Sequence, residues 1–236
     1  MRRALLFALA MLSLPLHAFE MKPFSVTYTA DWKQVPVSGS AERKLEHRPD
    51  GSWQLDFSAS MMIVNLTESS VFRTEGNDLL PQSYAFKRGG LAKSKTVNHI
   101  FNWNAKQVTG SDNGDPVSLP LNRGLLDKST YQVALQKDVA SGKQSMSYQV
   151  IDVDEIDTYD FRVLGEEKVE TKVGQIDAIK VERVRDPTQT KRQTILWLAK
   201  NWNYLLVSLY QVEKDGKQYH IILEQGTVDG KAVKGN

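Results

Sequence analysis

The chain of 236 residues contains no cysteine. It therefore has no disulfide framework, no thiolate for a metal and no thiol to carry a lipid anchor, so a lipoprotein is not expected. A transmembrane helix needs roughly 18 or more uninterrupted apolar residues, and no such run is present; the stretch Ala4 to Leu16 is too short and is broken by Pro15. A surplus of charge is also missing. The 30 Lys and Arg exceed the 28 Asp and Glu only by Arg2 and Arg3, so the rest of the chain is balanced and gives no electrostatic footprint for nucleic acid. Histidine is scarce, and none of His47, His99 and His220 has a His or Glu at metal-ligand spacing. There is no Gly-x-Ser-x-Gly elbow, internal repeat or linker-like tract. No catalytic residues, no metal and no cofactor are expected from these patterns.

What is present begins with an export signal. Arg2-Arg3, the apolar run and then Leu16-His17-Ala18 follow the charged, apolar, small-at-cleavage order of a secretory leader, so residues 1–18 are expected to be removed. The remaining 19–236 are long enough to bury one core, and a single periplasmic domain is expected. Strand patterning starts at once. In Phe24-Ser-Val26-Thr-Tyr28-Thr-Ala30-Asp-Trp32 every second residue is apolar, which puts one face on a core and the other in water. Trp53 to Ala59 repeats the pattern after the turn Pro49-Asp50-Gly51, and Tyr84–Phe86, Val97–Trp103, Met146–Val150, Tyr159–Val163 and Tyr204–Val212 continue it. Runs such as Ile195 to Ala199 and Leu205 to Val207 are apolar without alternation, which predicts strands covered on both faces.

One segment departs from the period of two. Tyr131, Ala134, Leu135 and Val139 fall on a helical stripe, with Asp127 or Ser129 as cap and Gly142 placed to end it. The reading is therefore mainly all-β: a strongly curved antiparallel sheet or half-open β-barrel, with one helix in or across the concave side.

The order of several short pieces resembles a known family. Leu79-Leu80-Pro81-Gln82-Ser83-Tyr84, Arg88-Gly89-Gly90, Ile100-Phe101-Asn102-Trp103, Leu126-Asp127-Lys128-Ser129-Thr130, Tyr159-Asp160-Phe161, Val181-Glu182-Arg183 and Trp197-Leu198-Ala199 are similar to the landmarks of domain of unknown function 3108, a family of bacterial envelope proteins. The resemblance implies a curved sheet similar in outline to periplasmic lipoprotein carriers, with a helix lying in its hollow. It brings no activity with it. One departure is visible: the family commonly has a proline shortly after Trp-Leu-Ala, whereas Leu205-Leu206-Val207 here runs on without one.

Two charged clusters have bland readings. Asp152 to Asp160 is rich in carboxylates but lacks the glycine of a calcium loop, and reads as a hairpin. Lys87, Arg88, Lys93 and Lys95 read as a basic loop tip in water. The aromatic residues are more informative. Trp32, Trp53, Phe57, Phe86, Phe101 and Trp103, with Trp197 as a further candidate, share faces with Val and Leu, and are expected to line the hollow as core or as a groove for an apolar ligand. The expected function is non-enzymatic: binding a lipid or other hydrophobic ligand, or a segment of an envelope protein, as a carrier or assembly factor. The alternatives are a structural or interaction protein acting through an open sheet edge and an envelope hydrolase, which would bring Ser, His and Asp together in a cleft. Neither oligomeric state nor ligand identity is encoded legibly.

Overall fold

The computed structural model describes residues 19–32, 37–61, 64–90, 93–186, 188 and 190–236. The leader expected at 1–18 lies outside the described residues. Eight strands follow one another as antiparallel hairpins: β1 (Phe24–Trp32), β2 (Val37–His47), β3 (Trp53–Met61), β4 (Val64–Glu75), β5 (Asp78–Gly90), β6 (Lys95–Asn102), β7 (Gln107–Asp112) and β8 (Asp115–Pro120). The short β9 (Leu125–Leu126) and the helix α1 (Thr130–Ala140) come next. A second meander is formed by β10 (Ser145–Asp152), β11 (Glu155–Thr171), β12 (Gly174–Val184), β13 (Gln193–Ala199), β14 (Leu205–Val212) and β15 (Gln218–Val228). A last short strand, β16 (Lys231–Ala232), pairs with β15.

The two meanders become one sheet because β15 pairs antiparallel with β1 along its whole length, Phe24 opposite Val228 and Trp32 opposite Tyr219. The sheet ends at β8 and at β9, which pairs parallel with β10, so it is strongly curved but not closed into a barrel. The mainly antiparallel, curved architecture expected from the alternation is the one observed. Its curvature brings the two meanders face to face: Ile151 of β10 packs with Tyr84, Val97, Phe101 and Val108 of the first meander. Gly110 permits the close approach of β7 to β6, since a Cβ there would lie 1.8 Å from the Asn98 carbonyl oxygen.

The concave face follows the predicted phase. Val26, Tyr28, Leu45, Leu55, Phe72, Phe161, Leu198 and Leu223 are buried there with Val133, Leu135 and Val139 of α1 in one continuous core. The non-alternating run in β14 is explained as expected, since Leu205, Leu206, Val207 and Ser208 are all buried. The carboxy-terminal segment covers the second face near this end: Val233 is buried, the Trp202 indole donates to the Lys234 carbonyl, and the Asn236 amide donates to the Gln175 carbonyl.

Candidate binding site in the hollow

The hollow has two ends. At the lower end, α1 fills the space between the meanders. Phe24, Leu45, Leu205 and Val228 close around Gln136, with a gap of about 10 Å³ between them. Lys137 of the helix donates to the Asn77 carbonyl, and the Tyr148 hydroxyl donates to Asp138 at 2.9 Å.

At the upper end, the first turn of α1 faces side chains that are only half buried. Phe57, Ala59, Leu66 and Phe86 from β3 to β5, and Leu209 and Ile221 from β14 and β15, are in this state, as is Tyr131 of the helix. Register places Phe57 directly across from Glu68, and Glu68 across from Phe86. An aromatic, a carboxyl and a second aromatic thus form one row across the concave face.

Asp127 fixes the helix above this row. Its carboxylate accepts from the amides of Ser129 and Thr130 at 2.8 Å, from the Thr130 hydroxyl at 2.7 Å and from the Ser70 hydroxyl at 2.6 Å. Of the two caps considered from sequence, Asp127 is the residue that caps; the Ser129 side chain makes no capping bond. The cap also ties α1 to β4 through Ser70, so helix position and strand position are set together. Asp127 is fully buried, and burial pushes its carboxyl up even though every hydrogen bond to it pulls the other way. Glu68, which accepts from the Tyr84 hydroxyl at 2.8 Å, is likewise held above the ordinary carboxyl range by burial. Asp152 is different: the ammonium of Lys128 at 2.7 Å and the Tyr159 hydroxyl at 2.7 Å outweigh its partial burial and pull it down. This is the outcome for the acidic cluster near the β10–β11 turn, which forms a hairpin with a partly buried ion pair at its base.

Three arginines complete the concave face. Arg43 of β2 is 4% exposed, lies near the Phe24 ring, bonds the Tyr28 side chain and leaves Nη2 without a hydrogen-bond partner among the described residues. The Arg183 guanidinium of β12 lies 3.2 Å above the Tyr159 ring. Arg185, just beyond β12, donates to the Thr194 hydroxyl at 3.1 Å and is pulled down to about 10 by burial and by the neighbouring charges of Arg183 and Arg192. Tyr131 stands between these groups, 5.2 Å from the Tyr159 ring and 5.7 Å from Phe161.

The aromatic residues singled out from sequence divide among several places. Phe57 and Phe86 reach the upper end of the hollow. Phe101 is buried in the smaller core under β5 to β8, and Trp103 packs on that core with its indole donating to the Pro81 carbonyl at 2.8 Å. Trp53 packs on the main core, edge-on to His47 with ring centroids 4.9 Å apart. The side chain of Trp32 lies outside the described residues. Trp197 requires a correction. Leu196 and Leu198 take the inward phase, so Trp197 projects from the opposite face, donates to Glu167 and lies under Lys180 at 5.2 Å. It does not line the hollow.

Arg43, Glu68, Ser70 and Arg183 were missed by the sequence reading. The signal was there: each occupies the apolar phase of its strand, Arg43 between Ala41 and Leu45, Glu68 and Ser70 between Leu66 and Phe72, Arg183 two residues after Val181. A charged residue in that phase must be buried or must face a hollow.

His99 is fully buried between Tyr84 and Phe101, and its Nε2 lies 2.7 Å from the Val153 carbonyl. Burial pushes its ring toward the neutral form, so this histidine serves as packing that ties β6 to the β10–β11 turn. On the outer face the Ser208 hydroxyl lies 2.9 Å from His220 Nε2, and register sets Asp31 across from His220. Ser208 is 1% exposed and also lies 3.1 Å from the Ile221 carbonyl, so no substrate carbonyl can approach it. Among the described residues there is no group of three or more metal-ligating side chains, and no helix is long and apolar enough to cross a membrane. A hollow of about 570 Å³ at β2 to β6 is lined by Lys44, Asp56, Ser58, Thr67, Lys87 and Asn98 of the solvent side and also touches Phe57, Glu68 and Phe86.

The sequence model for the protein of unknown function family DUF3108 matches residues 24–223. The chain belongs to the DUF3108 family. The order of landmarks read from the sequence is therefore borne out. Among solved structures, this DUF3108 chain is similar to a β-barrel-like protein of domain of unknown function DUF1849 from Brucella abortus. The identity is 10%, the match covers 88% of this chain and 98% of that one, and the TM-score is 0.59, a likeness of fold. A weaker match is to the MucA/MucB complex of Pseudomonas aeruginosa, at 14% identity, 92% of this chain, 56% of that chain and TM-score 0.38. No curated protein matches the sequence.

Proposed function

We propose that this DUF3108 protein is exported to the periplasm, with residues 1–18 as its signal peptide and 19–236 as its working part. There it binds a lipid-like or hydrophobic ligand, or an apolar segment of an envelope protein, as a non-enzymatic carrier or assembly factor. The observation that carries this reading is the contrast inside one hollow. Its lower end is a continuous cluster of buried side chains with a gap of about 10 Å³, while at its upper end Phe57, Ala59, Leu66, Phe86, Leu209 and Ile221 remain half buried. Apolar side chains gathered on a concave surface and left partly in water are what an apolar ligand covers. The sheet-edge alternative draws less support, because edge strand β8 carries Pro116 and Pro120, which remove donors from the ladder.

Native mass spectrometry of protein released gently from the cell envelope tests the proposal. The expected spectrum shows a fraction of the chain carrying extra mass of lipid size, which is lost when Phe57 and Leu66 are replaced together by Ser. A chain that is always bare and takes up no lipid from mixed micelles contradicts the carrier reading.

A further inference from the structure

Across the upper end of the hollow, an apolar side interrupted by Glu68 faces a basic side. Phe57, Ala59 and Leu66 come from β3 and β4, whereas Val181, Arg183 and Arg185 come from β12 and its extension across the hollow. Buried or half-buried guanidiniums normally have a carboxylate partner, since desolvation without one is costly. Here none of Arg43, Arg183 and Arg185 forms an ion pair among the described residues, and Arg43, which bonds the Tyr28 side chain, leaves Nη2 without a hydrogen-bond partner among them.

The carboxylates on the same face are already engaged. Asp127 is saturated by Ser70, Thr130 and two amides, Asp152 by Lys128 and Tyr159, and Glu68 accepts from Tyr84. The Tyr131 hydroxyl makes no hydrogen bond to any described residue, yet its ring is fixed against Tyr159 and Phe161, beneath the Arg183 stack. Tyr159 therefore holds Arg183 flat while Tyr131 offers a further donor beside it. Glu68 and Asp152 act on these groups without forming an ion pair with any of them, and guanidinium forks converging with a phenol but with no directly paired carboxylate suit an oxyanion.

We infer that the upper end carries an anion-binding site, formed by Arg183, Arg185 and the Tyr131 hydroxyl with the Arg43 charge behind them. It takes the phosphate or carboxylate headgroup of an amphiphile whose chain lies on Phe57, Ala59 and Leu66. This deepens the proposed function and rests on it for the chain, but the anion site stands on separate residues. The two sides of the hollow then have separate tasks: the apolar side gives affinity for the chain, and the basic side selects among chains by their headgroup.

Calorimetric titration of the purified protein with decyl phosphate, decanoate, decanol and inorganic phosphate separates the two ideas. The expected result is that decyl phosphate and decanoate bind at least about tenfold tighter than decanol, with inorganic phosphate weaker than decyl phosphate. The Arg183→Gln and Arg185→Gln chains should lose most of that preference while binding decanol as before. Because the preference is read first on the unmodified protein, a variant that unfolds does not hide the answer. Equal binding of all three decyl compounds overturns the anion site and leaves the hydrophobic reading in place. Inorganic phosphate binding as tightly as decyl phosphate upholds the anion site and overturns the amphiphile. No binding of any probe overturns both.

Discussion

The two ends of one hollow are built from the same strands, yet they differ in how the helix meets them. At the lower end α1 presents Val133, Leu135 and Val139 to Phe24, Leu45, Leu55 and Phe72, and the contact is apolar on both sides. At the upper end its first turn presents Asp127, Thr130 and Tyr131 to Glu68, Ser70 and the arginines of β2 and β12, beside half-buried Phe57 and Phe86. The first arrangement is what stabilises a fold. The second is hydrogen-bonded and charged, and it leaves apolar surface uncovered, which is unfavourable unless something else covers it. A single alternating pattern thus produces one half packed as core and one half left partly in water, and the boundary between them lies where α1 begins.

The largest expected effect comes from the lower end. Phe72 is fully buried, and Phe72→Ala should cost about 3–5 kcal/mol in urea unfolding, whereas Phe57→Ala should cost about 1 kcal/mol or less and instead weaken ligand uptake. Comparable losses at the two positions would erase the distinction. Next in size is the cap. Asp127→Ala removes acceptors for two helix amides and leaves the buried hydroxyls of Ser70 and Thr130 with only each other as partner, which should cost about 2 kcal/mol by the same measurement.

The sequence showed most of the lower end and less of the upper. Alternation in Phe24 to Trp32 and Trp53 to Ala59 places side chains on a face without any knowledge of the partner strand, and the helical stripe around Leu135 is equally local. That Asp127 rather than Ser129 caps was undecidable locally, because the choice depends on Ser70, which is remote in sequence and reaches the carboxylate only after the sheet bends. Trp197 was misplaced for a related reason. In Ile195-Leu196-Trp197-Leu198-Ala199 every residue is apolar, so the pattern has no phase, and only pairing with Ser208 and Lys180 assigns the tryptophan to the outer face. The arginines could have been found, since each sits in an apolar phase, but their convergence near Tyr131 required the β1–β15 pairing that brings the meanders together.

A subtler effect concerns pH. The Glu68 pKa in the folded chain lies above its ordinary value of 4.5 because burial disfavours the carboxylate. The folded state therefore holds this proton more tightly than the unfolded state does, so the stability Glu68 contributes is full below about pH 4.5 and is lost as pH rises through the elevated value. Acidifying from pH 7.5 to 5.5 should raise the Tm of the unmodified chain relative to Glu68→Gln, which keeps an acceptor for Tyr84. An identical pH response of the two chains would show that the upper end is better hydrated than its geometry indicates. The smallest effect is expected on the outer face. Trp197→Phe removes the indole bond to Glu167 and should change stability by about 1 kcal/mol or less, with ligand uptake unchanged, as checked by urea unfolding and the same uptake assay.

The most direct test of the division is methyl-resolved NMR during titration with decyl phosphate. Shifts concentrated at Ala59, Leu66, Leu209 and Ile221, with Leu45, Val133 and Leu135 unmoved, are what the account predicts. Shifts centred on the lower set, or spread evenly over both, would contradict it.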